Sequence, residues 1–284
     1  MDKRGIKDYN AVMISEQRAY AKLNLCLGVL YRRMDGYHAL DTLMQSVSLF
    51  DSVSVERSRK VEVYITGQQL PAENTITKTL EAYKRETNCG GIVRVIKRIP
   101  QEAGMGGGSS DAAAVLRGLQ SLHRMLSDKE LYRLALSIGA DVPFCLRGGL
   151  QRAEGIGEVL TPIKGIPLHF VVVQPEKGVS TKELFCRLAM PRPRVLTMRA
   201  MAAIGKGDID ALAPLMVNAL EDPATYMVPE IGERKAQLLS LGAKAACMTG
   251  SGSAVFGLFE SEEAAREAAE AIKDARFCAY CSSC

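Results

Sequence analysis

The sequence predicts an α+β protein of two domains, and three observations carry that expectation. The early part of the chain holds short apolar runs that alternate or are rich in β-branched residues. From Ala112 the apolar spacing turns helical. A second strand-and-helix block follows a Pro-, Gly- and Lys-rich stretch at Pro162–Pro167. With 284 residues, 47% of them hydrophobic, the chain is long enough for two such units, each with its own core. The expected division is 1–162 and 163–284, at the Pro/Gly cluster.

Met13–Ser15 and Lys22–Leu30 read as strands, the second rich in apolar residues. In Asp51–Arg57, Val53 and Val55 share one face, and Val61, Val63 and Ile65 repeat the pattern until Gly67 ends it. Ile92–Ile99 is β-branched and stops at Pro100. The positions Ala112, Val115, Leu116, Leu119, Leu122 and Leu126 mark one buried helix face. A second helix is expected over Asp128–Ile138, capped at Gly139. In the later block His169–Gln174 is strand-like, and Ser180 or Thr181 caps a helix. Thr197–Gly205 and Ile209–Leu220 are helical, and Pro229 opens a helix that Gly242 closes. Ala245–Thr249 and Ala254–Phe259 pair as strands around Gly250-Ser251-Gly252-Ser253, and a helix over Glu262–Asp274 follows.

Composition excludes several function classes. A net charge of +4 suits an anionic substrate, but with no Trp it offers neither the basic surface nor the stacking platforms of a nucleic-acid binder. Asp2, Lys3, Arg4, Lys7 and Asp8 interrupt the N-terminal stretch, so no signal peptide is expected. No apolar run is long enough to span a bilayer, so a cytoplasmic protein without membrane contact is expected. Cys26, Cys89, Cys145, Cys186 and Cys247 are scattered and read mostly as small buried hydrophobes. Cys278, Cys281 and Cys284 have the C-x-x-C-x-x-C spacing of a metal tail, but no fourth ligand is near and a chain end tends to fray. His38, His123 and His169 have no metal-ligand spacing, so no metal ligands are assigned.

The chemistry concentrates in Gly104–Asp111. Gly104, Gly106, Gly107 and Gly108 let the backbone take positive φ and come close to a ligand. A helix start follows at once, where unpaired N–H groups and the macrodipole favour an anion. Ser109 and Ser110 add hydroxyls, and Asp111 suits a first helical turn. No Gly-Lys-Ser/Thr ends the run, so it is not a Walker A loop. The strands before it read as antiparallel, which argues against a dinucleotide fingerprint. A flexible turn capped by serine is the plainer alternative, but glycine at this density directly before a helix favours a phosphate site.

Asp141, in Gly139–Phe144, is either a helix cap or a partly desolvated base; alone, the cap is favoured. Lys22 interrupts the apolar run Ala21–Leu25 and either snorkels or pairs. Facing Asp141 and a phosphate, it would hold the acid ionised and offset developing charge. Thr249–Ser253 reads in isolation as a hairpin turn. Asp35–His38 is a turn whose Tyr37 and His38 could stack on and hydrogen-bond a base.

Together, Ala21–Leu25, Arg32–His38, Gly104–Ala113, Gly139–Phe144, Glu154–Glu158 and Gly250–Ser253 resemble the galactokinase–homoserine kinase–mevalonate kinase (GHMP) superfamily from about Ala19 to Phe259. Within it they are most similar to the branch that acts on a cytidine diphosphate-linked methylerythritol. The resemblance implies an N-terminal domain like ribosomal protein S5 domain 2, a ferredoxin-like C-terminal domain and an active site in the cleft between them. It implies ATP as co-substrate with Mg²⁺, and a monomer or weak homodimer. Asp141 would be the catalytic base and Lys22 its partner at the transferring phosphoryl group. Pro100, Gly104, Met105, Gly106, Gly107, Gly108, Ser109 and Ser110 would bind ATP, with Ser110 a candidate Mg²⁺ ligand. Asn24, Tyr37, His38, Lys97 and Phe185 would line the cytidine end of the substrate and Thr181 its methylerythritol part. Gly250, Ser251, Gly252 and Ser253 would close the phosphate region from the second domain. The chain departs from the family at Gln101-Glu102-Ala103, at Met105 where leucine is usual, in a longer N-terminus and in the cysteine tail. Another GHMP kinase, acting on homoserine, mevalonate or a sugar, would not need Arg33–His38. A non-catalytic nucleotide-binding regulator would not need Asp141 and Lys22.

Overall fold

The computed structural model describes residues 13–69, 71–188 and 197–284; the longer N-terminus lies outside them. The first unit is a six-stranded mixed sheet. A long hairpin forms its spine: β1 (Ile14–Arg32) pairs antiparallel with β2 (His38–Ser58) over nearly its whole length. The other edge of β2 pairs with β4 (Gly90–Ile96) at one end and β5 (Leu150–Gly155) at the other. Beyond them lie β3 (Val61–Thr66), parallel to β4, and β6 (Val159–Ile163), antiparallel to β5. Four helices, α1 (Thr75–Thr87), α2 (Gly107–His123), α3 (Asp128–Ile138) and α4 (Val142–Arg147), accompany this sheet. Val53, Val55, Val93 and Val95 pack there against Ile76, Leu80, Val115 and Leu119.

The second unit is an antiparallel sheet of β7 (His169–Gln174), β8 (Ala245–Met248), β9 (Val255–Phe259) and β10 (Phe277–Ser282), in the order β10-β7-β9-β8. That order, with helices between its first and second and between its third and fourth strands, is the ferredoxin-like arrangement. The helices are α5 (Thr181–Arg187), α6 (Thr197–Lys206), α7 (Ile209–Leu212), α8 (Glu221–Met227), α9 (Glu230–Ser240) and α10 (Glu262–Ala271). A shared core joins the sheets: Leu23, Leu25 and Leu43 of the first meet Phe170, Val172, Phe256 and Leu258 of the second. Each such side chain contributes roughly 1.5–3 kcal/mol on burial, so the cleft above this core has a stiff floor. Among the described residues no helix is long and apolar enough to cross a membrane.

Several boundaries differ from the sequence expectation, for physical reasons. The two expected N-terminal strands are one, β1, because the polar residues between them lie on a continuous ladder. Helix α2 starts at Gly107, before Ala112, because Gly106 at φ 70° turns the chain into the helix; Leu126 lies past its end. Gly139 follows α3 with an extended φ of −179°, so it ends the helix without a left-handed cap. Pro214 breaks the expected Ile209–Leu220 helix into α7 and a 3₁₀ turn at Ala213–Leu215.

The C-terminal tail is the largest revision. It is the edge strand β10, and its ladder to β7 satisfies backbone groups that would otherwise fray. Three-residue spacing on a strand sends Cys278 and Cys281 to opposite faces, and Cys281 is fully buried in the shared core. The three thiols therefore do not converge. Burial pushes the Cys278 thiol up to about 11 and Cys281 higher still. Cys281→Asp is expected to destabilise the protein by about 3–5 kcal/mol, as an unpaired buried charge does. Chelator treatment should leave the unfolding midpoint unchanged; urea unfolding of both samples checks this.

Candidate active site

Strand alternation places Lys22 and Asn24 on one face of β1 and Ala21, Leu23 and Leu25 on the core face. Register shifts between Tyr20 and Lys22 and between Asn24 and Cys26 bracket the pair. Such irregularities bend a strand and re-aim side chains. Both residues are buried, and they are committed to one another: Lys22 Nζ donates to Asn24 Oδ1 at 2.5 Å, and Asn24 Nδ2 donates to Thr42 Oγ1 at 2.9 Å. Lys22 Nζ also lies 3.7 Å from Asp141 Oδ2. Asp141 occupies the N-cap position of α4, yet its side chain makes no capping hydrogen bond. The carboxylate is turned to the lysine instead, and the cap reading gives way.

The glycine segment is held from behind. Gln101 O accepts from Gln174 Nε2 at 2.7 Å, Glu102 O from Ser253 N at 3.0 Å and Ala103 O from Ala254 N at 3.3 Å. Gly104 O accepts from Thr249 Oγ1 at 3.5 Å and Met105 O from Lys22 N at 3.0 Å. Every carbonyl from 101 to 105 thus has a donor. Among the described residues, none accepts a hydrogen bond from the backbone N–H groups of residues 104–109. Helix α2 begins there without a side-chain cap. Pinned carbonyls and free N–H groups at a helix start are what an anion cradle requires.

Two glycines are required by contact. At Gly104, φ 71°, a Cβ would overlap Thr249 O of the second loop; at Gly106, φ 70°, it would crowd the Lys22 stem at 3.1 Å. The loops over 104–106 and 249–252 therefore touch backbone to backbone, with Lys22 beside both. Asn218 holds the second loop, donating to Met248 O and Gly250 O.

A buried charge cluster ties the two ends of the glycine segment together. Lys97 Nζ bridges Asp51 and Asp111, the latter at 2.6 Å, and Asp51 Oδ1 also accepts from the backbone N–H groups of Arg98 and Ile99. Burial opposes the Lys97 charge, but the two aspartates outweigh it and hold its pKa above the usual lysine value. Burial pushes the Asp111 carboxyl up to about 7, against Lys97 and with help from Asp51.

Two adjoining cavities open on this ground. The larger, about 690 Å³, is lined by the glycine segment, Pro100, Lys97 and Asn74–Ile76. The smaller, about 330 Å³, holds Lys22, Asn24, Asp141, Ser109 and Phe185. Gly104, Gly106, Thr181 and Ser251 line both, and Thr181 Oγ1 lies 2.7 Å from Ser251 Oγ. His38 stacks on Phe185 with ring centroids 4.9 Å apart, and burial, aided by Arg32, lowers its pKa. The Arg33–Asp35 pair shapes the turn that presents Tyr37, which is exposed.

Some expected residues are placed differently. Lys97 lies with the glycine segment in the larger cavity, away from His38 and Phe185, because two carboxylates hold it there. Ser110 is buried and its hydroxyl donates to Tyr20 O at 2.6 Å, so in this structure it is turned from the two cavities. Ser253 is buried and contributes its backbone N–H, while Gly252 and Ser251 line the larger cavity. Glu102 takes a positive φ of 55° and lays its side chain over Gly178. Sequence reasoning missed Asp51, Gln174, Asn218 and Thr249: Asp51, Gln174 and Thr249 looked like ordinary polar residues at strand ends, and Asn218 like one in an expected helix. Among the described residues no three His, Cys, Asp or Glu converge as a metal site. The residues present do not form a Mg²⁺ cage.

Two outcomes follow from this geometry. Gly104→Ala is expected to cost about 1–3 kcal/mol, as a non-glycine forced into this backbone does, and to weaken nucleotide binding; urea unfolding and calorimetric titration read the two effects. For Asp111, a folded-state pKa above the unfolded value means that the native protein binds the extra proton between about pH 4 and 7. Wild-type stability should therefore fall relative to Asp111→Asn as pH rises through that window and level off above it, which unfolding across that range measures.

Known proteins agree with this architecture. Residues 74–149 match the family model of the GHMP kinases N terminal domain and residues 200–277 that of the GHMP kinases C terminal. The 4-diphosphocytidyl-2-C-methyl-D-erythritol kinase of Thermoanaerobacter pseudethanolicus is 38% identical over 90% of this chain and 91% of its own. That of Caldicellulosiruptor saccharolyticus is 39% identical over 90% and 92%. A crystal structure of a 4-(cytidine 5'-diphospho)-2C-methyl-D-erythritol kinase superposes with a TM-score of 0.83 at 37% identity, covering 95% of this chain and 99% of that one. Homoserine kinase from Cytophaga hutchinsonii, at 20% identity and a TM-score of 0.72, shares the fold. With an uncapped glycine helix start, a lysine–aspartate pair beside it and relatives matched along nine-tenths of its length, the chain belongs to the GHMP kinase family, in the branch of the 4-diphosphocytidyl-2-C-methyl-D-erythritol kinases.

Proposed function

We propose that this chain transfers the γ-phosphoryl group of ATP to the 2-hydroxyl of 4-diphosphocytidyl-2-C-methyl-D-erythritol, giving the 2-phosphate and ADP, in the non-mevalonate route to isopentenyl diphosphate. The observation that carries this reading is the junction of the two cavities. Gly104 and Gly106 line both, and Lys22 and Asp141 stand on the acceptor side of that junction. A phosphoryl group bound by the free N–H groups of the loop would meet a hydroxyl held beside Asp141.

Asp141 takes the hydroxyl proton as the oxygen attacks. Lys22, 3.7 Å from Asp141 and beside the glycine loops, stabilises charge on the transferring group. Asn24 fixes the Lys22 ammonium through its side-chain oxygen. His38 and Phe185, stacked on one another, take the cytosine end together with the exposed Tyr37. Ser251 closes over the phosphates from the second domain, and Thr181, hydrogen-bonded to it, faces the methylerythritol part of the substrate. Mg²⁺, when bound with ATP, would supply charge neutralisation at the phosphates, and no carboxylate cluster among the described residues is assigned to hold it. Units 1–162 and 163–284 form the two walls of the cleft. The enzyme works in the cytoplasm as a monomer or weak homodimer.

An ADP-release assay with the cytidylylated methylerythritol tests the reading directly; turnover with homoserine or mevalonate in its place contradicts it. Asp141→Asn is expected to lower kcat about 10²- to 10⁴-fold with the fold intact, as loss of a positioned base does. Lys22→Met should lower it about 10²- to 10³-fold. Wild-type turnover in either variant overturns the assigned roles.

A further inference from the structure

We propose that Gln174 is a positioning residue: from the second domain, it sets the start of the phosphate loop for ATP. Gln174 is the last residue of β7, fully buried, and its Nε2 donates to Gln101 O at 2.7 Å. Gln101 is the first of the five consecutive residues whose carbonyls are held from behind. The next three of those donors, Ser253, Ala254 and Thr249, come from one neighbouring loop.

Two observations separate this role from ordinary packing. First, Gln174 Oε1 is buried and has no hydrogen-bond partner. The unpaired amide oxygen is a cost that an apolar side chain of the same length would not carry, while the Gln101 carbonyl such a side chain would release borders an open polar cavity. Stability alone does not explain a glutamine there. Second, the loop is not packed at this point. Behind it lies a polar cavity of about 370 Å³, lined by Gln68, Arg98, Pro100, Gln101, Gln174 and Arg276. The amide of Gln174 thus holds a carbonyl whose surroundings are open. Releasing it lets the loop entrance rotate, and the N–H groups that follow lose their common aim. The acceptor side, around Lys22 and Asp141, lies beyond the later pins at Met105 O and is not reached.

This inference rests on the nucleotide reading of the larger cavity. The test is calorimetric titration of the full chain with a non-hydrolysable ATP analogue, in wild type and Gln174→Met, alongside steady-state kinetics and thermal unfolding. The expected result is an analogue Kd and a KM for ATP raised about 5- to 10-fold, the effect of one neutral hydrogen bond. KM for the alcohol substrate should be unchanged and the unfolding midpoint equal or higher. An unchanged Kd overturns the proposal. So does a fall in midpoint that accompanies lost affinity for both substrates, since that marks a structural role. If Gln174→Met does not fold, Gln174→Leu is read by the same criteria. If wild type itself fails to bind the analogue, the nucleotide reading fails and takes this inference with it.

Discussion

The active site depends on one constraint: the glycine segment must turn its carbonyls away from the cleft. Five consecutive carbonyls do so because each finds a donor, four of them from the second domain and one from β1. The N–H groups of residues 104–109 are then left to face outward at the start of α2. A buried carbonyl without a partner is costly, so the loop cannot flip without losing several bonds together. Glycine at 104 and 106 is the steric condition for this arrangement, since the second loop and the Lys22 stem leave no room for a Cβ.

Lys22 links that backbone to the chemistry. Its N–H pins Met105, its stem packs on Gly106, and its ammonium lies between Asn24 and Asp141. A single residue therefore sets the distance from the phosphate cradle to the proton acceptor. The register shifts on either side of it in β1 let a charged side chain leave an apolar strand at this point. The Asp51–Lys97–Asp111 cluster complements Lys22 by tying the strand that enters the loop to the helix that leaves it, so the loop spans a fixed opening.

Much of the fold was legible in sequence because periodicity reports which face is buried. His169–Gln174 and Asp128–Ile138 match their expected bounds, and the hairpin around Gly250–Ser253 forms as expected. What failed was local reading where tertiary contacts decide. β10 looked like a frayed tail because its stability comes from β7, more than a hundred residues earlier. In the site, Lys22, Asp141 and the glycines stood out because each is the wrong residue type for its surroundings. Asp51 and Gln174 did not stand out, since their partners are distant in sequence. Ser110 and Lys97 show the converse. Motif position suggested ligand contacts, but the hydroxyl is spent on Tyr20 and the ammonium on two aspartates.

The most direct measurement is amide hydrogen exchange along the glycine segment, with and without a non-hydrolysable ATP analogue. The N–H groups of residues 104–109 should exchange quickly in the free protein and slow at least tenfold when the analogue binds, because the phosphates supply the missing acceptors. Protection of these amides in the free protein, or their continued fast exchange at saturating analogue, would contradict the account.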